Sequence, residues 1–434
     1  MPDHADIAVI GAGAAGLFAA IWAARTLRAA DSDASVVAFD GAKTLGAKIL
    51  VAGGGRCNVT HHAVDESAYA SGAGSSRNAI KNVLRRFDVP KTIAFFEEFG
   101  VTLKREDTGK LFPTTDDAHT ILDALLLAAR EARAELVHPW RVDRVERIEN
   151  GFAIHRQQGS MGARKHGSDG EVVIANRLIL ATGGKALPRS GSDGHGYTFA
   201  KALGHTITDT FPALVPLILS DEGSGRLIKD LSGLTLPAAI ELHSGTGKKL
   251  VSFTNSTLCT HFGLSGPGVL DISRYYTHAR TSDPSASLTL NWLPGMTLES
   301  ADAFLAEAHK STVLRRLAEK LPERLARALI TAAAIDPAAQ LGNVKRDLRR
   351  DLARRLVATP LPVTGDRGYT FAEVTAGGVP LSELHLDTME SRLCPNLHLC
   401  GEICDVDGRI GGFNFQWAWA SGFTAGTAAA NSLQ

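Results

Sequence analysis

The chain is poor in cysteine, in aromatic residues and in excess charge of either sign, and each shortage removes a class of function. Its five cysteines (Cys57, Cys259, Cys394, Cys400 and Cys404) are odd in number and nowhere spaced C-x-x-C. That pattern supports neither a thioredoxin-like couple nor a structural zinc site. Cys400 and Cys404 stand four apart, but glycine and aspartates surround them, so the segment reads as strand then loop with buried free thiols. Lys plus Arg equals Asp plus Glu, 46 of each, so net charge gives no support for nucleic acid or an anionic membrane as a partner. No apolar run is long enough to span a bilayer and no signal peptide precedes the first strand, so the expected location is the cytoplasm. No metal-ligand cluster, Ser-His-Asp arrangement, internal repeat or obligate protein partner is evident. At 434 residues the chain is too long for one simple core, and two domains are expected.

Glycine, by contrast, is plentiful at 43 residues, and it opens the chain. Ile7, Val9 and Ile10 read as a short buried strand, Gly11, Gly13 and Gly16 as a G-x-G-x-x-G turn, and Ala14 to Ala24 as an Ala-rich helix. Gly11 permits the tight turn, Gly13 lets the backbone approach a pyrophosphate, and Gly16 lets the helix pack close to the strand. The free N–H groups and positive dipole end of that helix then hold phosphate charge. A second strand, Ser35 to Asp40, ends in an acid roughly twenty residues past the glycines, where a ribose hydroxyl binds. A glycine-rich turn in an ordinary α/β protein is the plain alternative. The opening predicts a dinucleotide with an unphosphorylated adenosine ribose, FAD or NAD, without choosing between them.

Strand and helix alternate over the first 150 residues, through a Gly-rich loop at Gly53–Asn58, one helix from about Asn78 to Phe99, and another from Asp116 with Ile121, Leu122, Leu125, Leu126 and Ala129 at helical spacing. Strands follow near Leu136 and Phe152, with a Gly-, Ser- and Lys-rich tip between Arg156 and Gly170 read as exposed. Asn176 to Gly184 reads as a buried strand running into a glycine turn. From about Thr206 to Asn291 the pattern turns β-rich. From Leu298 to Leu356 it is helical and charged, with charges that suit solvated helix faces better than a binding patch. The αβ pattern then returns. This predicts a dinucleotide domain built from residues 1–203 and 357–434, a β-rich substrate or cap insert at 204–297, and a helical subdomain at 298–356.

Near the C-terminus a strand ends at Gly401-Glu402, an acidic loop carries Asp405, and Gly411-Gly412 precede a helix of small residues. An acid at a strand end can accept ribityl hydroxyls, and the N-terminus of the last helix can face the flavin edge where negative charge gathers on reduction. An enzyme using NAD alone has no need of this second cradle, so the expected cofactor is FAD.

Gly11–Leu17, Gly53-Gly-Gly-Arg-Cys-Asn58, Gly109–Pro113, Ala181-Thr-Gly-Gly184, Gly263–Pro267, Val374–Val379, Thr388–Ser391 and Gly401 through Asn414 occur in one order along the chain. In these segments the chain resembles the bacterial FAD-binding oxidoreductase family that includes aminoacetone oxidases and a bile-acid dehydro-reductase. The resemblance implies an α/β Rossmann-like FAD domain made from both chain ends, carrying an inserted β-barrel and a small helical unit that covers the flavin. It implies that Gly11, Gly13, Ala14, Ala15 and Gly16 hold the FAD pyrophosphate, that Asp40 holds the adenosine ribose, and that Val142 meets adenine through its backbone. Lys48 and the loop with Gly55, Arg56, Cys57 and Asn58 would run beside the cofactor. Ala181, Thr182, Gly183 and Gly184 would back it. Gly401, Glu402, Asp405, Gly411, Gly412, Phe413, Asn414 and Phe415 would hold the ribityl and flavin end. Cys259 before Thr260-His261, His195 between glycines, and Asp rather than Glu at position 40 depart from the family pattern.

Cys57 reads either as a redox or nucleophilic thiol or as a small buried residue shaping its loop. Arg56 can pair with a phosphate or a substrate carboxylate, or anchor the loop. Asn58 and Asn414 are candidates for the ring edge, and His195 and His261 for a general acid. Without a second G-x-G-x-x-G there is no separate nicotinamide domain, so any NAD(P)H must bind transiently at the flavin face. Three functions stay open on a small-molecule substrate: an NAD(P)H-dependent reductase of an enone or similar compound, an amine or aminoketone oxidase or dehydrogenase, and a low-turnover flavin-binding regulator.

Overall fold

Strand His4–Ile10 ends in a run, Ile7 to Ile10, that is apolar and buried on both faces, the pattern of a central parallel strand. In its sheet the neighbours run Leu384–His385, Glu390–Ser391, Leu397–Leu399, Val172–Leu180, His4–Ile10, Val36–Phe39 and Glu135–Val137. The five from Leu397–Leu399 to Glu135–Val137 are mutually parallel. Gly151–Arg156 joins Val172–Leu180 antiparallel, and Val142–Ile148 pairs with it in turn. The structure is a computed structural model describing residues 3–157, 171–307 and 310–434, so most of the tip expected between Arg156 and Gly170 lies outside the described residues.

The opening helix runs Ala14–Ala29, five residues beyond the expected end, and lies against the last helix, Phe413–Asn431. Glycine sets their separation. A Cβ on Gly422 would sit 2.6 Å from the Ala15 carbonyl oxygen, and one on Gly426 would sit 2.1 Å from that of Ala19. Phe18, Trp22, Phe87, Phe95, Trp419 and Phe423 fill the adjoining core edge-on or tilted. The single helix expected over Asn78–Phe99 is two, Arg77–Leu84 and Val89–Glu98. Asp88 breaks it: its side chain accepts from the Lys91 N–H at 3.1 Å as an N-cap, and Pro90 fits only the first turn of a new helix.

The chain forms two compact units, Met1–Pro212 with Glu373–Gln434, and Ala213–Ala372. The second holds an antiparallel sheet ordered Thr359–Leu361, Ser287–Asn291, Thr235–His243, Lys249–Thr260, Gly263–Ser265, Leu217–Leu219, Val363–Asp366. Its end strands are separated in sequence by Pro362 alone, and among the described residues no pairing closes them into a barrel. Those two strands belong to this sheet, so the chain leaves the second unit after residue 372 rather than at 357. Helices Leu298–Ala306, Val313–Ala318, Glu323–Ala332 and Arg346–Val357 share one apolar core with the sheet, through Phe304, Leu317, Leu329 and Leu356 on Leu288, Leu290 and Trp292.

Candidate functional site

Four parallel strands of the first unit end at one level: Ile10 is in register with Phe39 and Leu180, and Leu180 with Leu399. The chain leaves them at Gly11, Asp40, Ala181 and Cys400, outside the carboxyl ends of the sheet, where open α/β folds place ligands. Gly11 N–H donates to the Phe39 carbonyl at 2.8 Å, Ala181 N–H to that of Ile10 at 2.9 Å, and Cys400 N–H to that of Leu180 at 3.0 Å.

The three glycines of the first turn face different surroundings. Gly11 has φ +94°, and a Cβ there would lie 2.6 Å from the Ala181 oxygen. A Cβ on Gly16 would lie 1.7 Å from the Gly11 oxygen, so this helix can approach its strand only with glycine. A Cβ on Gly13 would have nothing within 4 Å. Gly13 is also the N-cap of the helix, with no side chain capping it and no acid in the first turn. Asp40 closes the turn: its carboxylate accepts from Ala12 N–H and Ala42 N–H, both at 2.7 Å, one on each oxygen. Each oxygen keeps capacity for a further donor. Trp140 N–H donates to the Asp40 carbonyl at 2.6 Å, which brings the segment leading to the buried Val142 beside it.

The C-terminal part of the site meets this turn directly. A Cβ on Gly401 (φ +76°) would stand 2.6 Å from the Ala15 side chain. Glu402 is held twice, by Lys48 Nζ at 2.5 Å on Oε2 and by Thr375 N–H at 2.9 Å on Oε1. Thr375 Oγ1 in turn accepts from Lys185 N–H at 2.7 Å and Ala186 N–H at 3.0 Å, fixing the chain that follows Gly183 and Gly184. Gly411 and Gly412 have φ +128° and +92°, and a Cβ on Gly412 would lie 2.5 Å from the Thr60 carbonyl carbon. The last helix therefore starts against the strand Thr60–His61, again with no side chain capping its N-terminus. The Phe413 ring stacks on His61 at 4.9 Å and its carbonyl accepts from Tyr69 OH at 2.8 Å, while Phe415 stacks on Trp419 at 5.5 Å.

Several residues singled out from the sequence are engaged by the protein itself. Arg56 pairs with Glu106 at 2.7 Å and Asp116 at 3.5 Å, with its guanidinium 4.1 Å from the Phe112 ring centre, the geometry of a loop anchor. Cys57 is fully buried at φ +56°, and burial pushes its thiol well above the ordinary range, which disfavours the thiolate. All five cysteines are free and buried. Asp405 is buried and accepts from Gly72 N–H at 3.0 Å. Asn414 exchanges two bonds with Gly408, accepting its N–H at 2.8 Å and donating to its carbonyl at 2.9 Å, so its amide is taken up by the backbone rather than turned to a ring edge. His195 Nε2 lies 3.0 Å from the Asp143 carbonyl, while His261 belongs to the second unit.

Two side chains behave differently. Asn58 Oδ1 and Thr182 Oγ1 are buried with no hydrogen-bond partner. Unmatched polar atoms of this kind call for a group that would complete them. Together with the open space at Gly13 and Gly54, they fit a bound dinucleotide with a hydroxyl- and amide-bearing far end. Motif reading gave no role to Thr375, which links Glu402 to the Gly184 turn, nor to Gln416, whose amide oxygen accepts from Thr60 and Thr92 hydroxyls at 2.7 and 3.0 Å. A lone glutamine in a helix of small residues was the available signal for the second; for Thr375 the cue was its glycine-flanked motif.

A family model described as HI0933-like protein Rossmann domain matches residues 5–428. The chain is 33% identical to the 3-dehydro-bile acid delta(4,6)-reductase of Clostridium scindens over 428 residues, 98% of each chain. It is 33% identical to the ribosomal RNA dihydrouridine synthase of Escherichia coli over 420 residues, 96% of each chain. Among solved structures, the 3-ketosteroid delta1-dehydrogenase of Sterolibacterium denitrificans in complex with 1,4-androstadiene-3,17-dione shares the fold, with TM-score 0.50 and 13% identity over 99% of this chain and 100% of that one. The chain therefore belongs to the HI0933-like Rossmann family and is a flavin-dependent oxidoreductase.

Proposed function

We propose that this protein reduces a carbon–carbon double bond conjugated to a carbonyl, with FAD bound along the strand ends and NAD(P)H as transient electron donor. The observation that carries the reading is that Gly11, Asp40, Ala181 and Cys400 follow parallel strands ending at one level, with the uncapped helix start at Gly13 open beside the first of them. The relatives narrow the chemistry. A 3-dehydro Δ4,6 bile acid carries double bonds conjugated to its ketone, and dihydrouridine differs from uridine by saturation of a ring double bond conjugated to a carbonyl. When bound, the flavin supplies hydride transfer, and the protein supplies position and electrostatics.

In this reading Gly11, Gly13, Ala14, Ala15 and Gly16 hold the pyrophosphate at the first helix, Asp40 the ribose, and Val142 the adenine. Ala181–Gly184 back the cofactor, and Gly401 and Glu402 face its ribityl chain. The Lys48 ion pair orients the Glu402 carboxylate for hydroxyl donors. Asn58 and the Gly411–Phe415 turn border the ring, while Gly55, Arg56, Cys57, Asp405 and Asn414 shape the loops around it.

A second reading, that the conjugated bond lies in the uracil of an RNA, is favoured by the full-length Escherichia coli relative. A net charge of zero does not oppose it, because net charge is a sum over the surface whereas binding follows local potential. Anaerobic titration with NADPH or NADH should bleach the yellow holoprotein within seconds to minutes, and a steroid 4,6-dien-3-one or a uridine-containing RNA should restore the colour. No bleaching by either nucleotide, or peroxide release with aminoacetone in air instead, would overturn the proposal.

A further inference from the structure

We propose that the face formed by helix Arg77–Leu84, the turn Arg85-Arg86 and Arg392 is a binding surface for the phosphodiester backbone of an RNA strand. This deepens the RNA branch of the reading above and rests on it for the identity of the ligand. The helix buries Ala79, Ile80, Val83 and Leu84 and turns Arg77, Asn78, Asn82 and the following Arg85 and Arg86 outward. From Arg77 through Arg86 there is no acidic residue.

Beside the helix end lies a cleft of about 410 Å³ lined by Asn82, Arg85, Arg86, Leu386, Asp387 and Arg392. Arg392 is pre-positioned: its N–H donates to the Glu383 carbonyl at 2.8 Å and its Nε to that of Leu384 at 3.0 Å, leaving both terminal nitrogens for a ligand. Among the described residues, Arg77, Arg85, Arg86 and Arg392 have no ion-pair partner, whereas Lys81 in the same stripe is paired with Glu66 at 2.7 Å. Asp88, the nearest acid in sequence, is committed to capping the next helix.

The shape selects a strand over a single phosphate. Arg77 and Arg85 stand eight residues apart, about 12 Å along the helix, with Lys81 between them held by Glu66 and two exposed amides beside them. A lone phosphate would occupy only the cleft at one end. A chain of phosphates can span that distance, with arginines and amides positioning the backbone without reading bases. Asp387 is the opposing charge in the cleft and weakens the site.

The test is fluorescence anisotropy of labelled oligouridylate on holoprotein at several salt concentrations, with no reductant present. Arg85→Gln/Arg86→Gln should lower affinity at least about tenfold and flatten the dependence of log K on log salt by about 1.4, two contacts at roughly 0.7 each for a single strand. Arg85→Lys/Arg86→Lys should keep the slope, and Asp387→Asn should tighten binding. Unchanged affinity and slope in the Gln variant, failure of the wild type to bind, or binding of phosphatidylserine vesicles but not oligouridylate would each overturn the proposal. NAD(P)H bleaching of the Gln variant should match wild type. Absence of bleaching throughout would therefore count against the reductase reading while leaving the binding result to stand.

Discussion

Gly13 and Gly16 stand three residues apart in one motif, yet substituting alanine at each should break different things. At Gly16 the new methyl would lie 1.7 Å from the Gly11 oxygen, inside any allowed contact, so the helix must lift off its strand. Overpacking of that kind costs about 1–3 kcal/mol or more, a large part of a total stability of roughly 5–15 kcal/mol. At Gly13 the methyl would meet nothing within 4 Å, and φ is −79°, so the folded backbone is unstrained. There alanine gains about 0.4–1 kcal/mol from the unfolded chain and loses a similar amount as a poorer N-cap. Gly13→Ala apoprotein should therefore melt close to wild type, while its FAD affinity falls at least about a hundredfold, near 2.7 kcal/mol, because in the proposed placement the methyl fills the space of the pyrophosphate. Thermal melts of apoprotein and flavin-fluorescence titration read the two effects separately. Wild-type FAD affinity in Gly13→Ala, or a wild-type melt in Gly16→Ala, would refute the reasoning.

The thiols should be silent in the folded protein: a thiol reagent at about pH 8 should titrate none quickly and all five after denaturation, because every one is buried. Cys57→Ser should retain the proposed reductase activity within about threefold, and loss of turnover with intact flavin would restore Cys57 as a chemical participant. Asn414→Ala removes both bonds to Gly408 and should cost about 1–3 kcal/mol in denaturant unfolding; a cost near zero would show that the clamp is not structural. His398 is buried with Nδ1 against the Thr388 carbonyl, and desolvation holds its imidazole below the ordinary value of 6.5. The unfolded chain binds that proton more readily, so this contribution is complete above about pH 6.5 and declines as pH falls below it. Melting curves across about pH 5–7 should flatten in His398→Gln, and an unchanged acid slope would assign the loss to other groups.

The strands and helices that form by local rules were readable in advance. The opening strand, its glycine turn and the Ala-rich helix follow from periodicity and from glycine at positions of close approach. The interruption at Asp88 was written in the sequence as a cap followed by proline, but the flanking apolar spacing masked it. Strand Val142–Ile148 was missed for a different reason: its burial pattern, with Val142 and Val145 buried among Asp143, Arg144, Glu146 and Arg147, is not the period-two alternation that marks a strand. The boundary after residue 372 was not visible, because strand pairing of Thr359–Leu361 and Val363–Asp366 joins segments distant in sequence.

Sequence alone determined that a dinucleotide turn opens the chain and that a second glycine turn, preceded by Glu402, closes it. These depend on φ and on the missing Cβ, properties each residue carries with it. Which polar groups remain for a ligand was decided only by tertiary structure. Arg56 is taken by Glu106, Asp405 by Gly72 and Asn414 by Gly408, while Asn58 and Thr182 are left unmatched. Arg85, Arg86 and Arg392 likewise become one surface only where Arg392 is carried beside the helix end. Hydrogen bonds and ion pairs are satisfied between neighbours in space, and a neutral total charge is compatible with any arrangement of them.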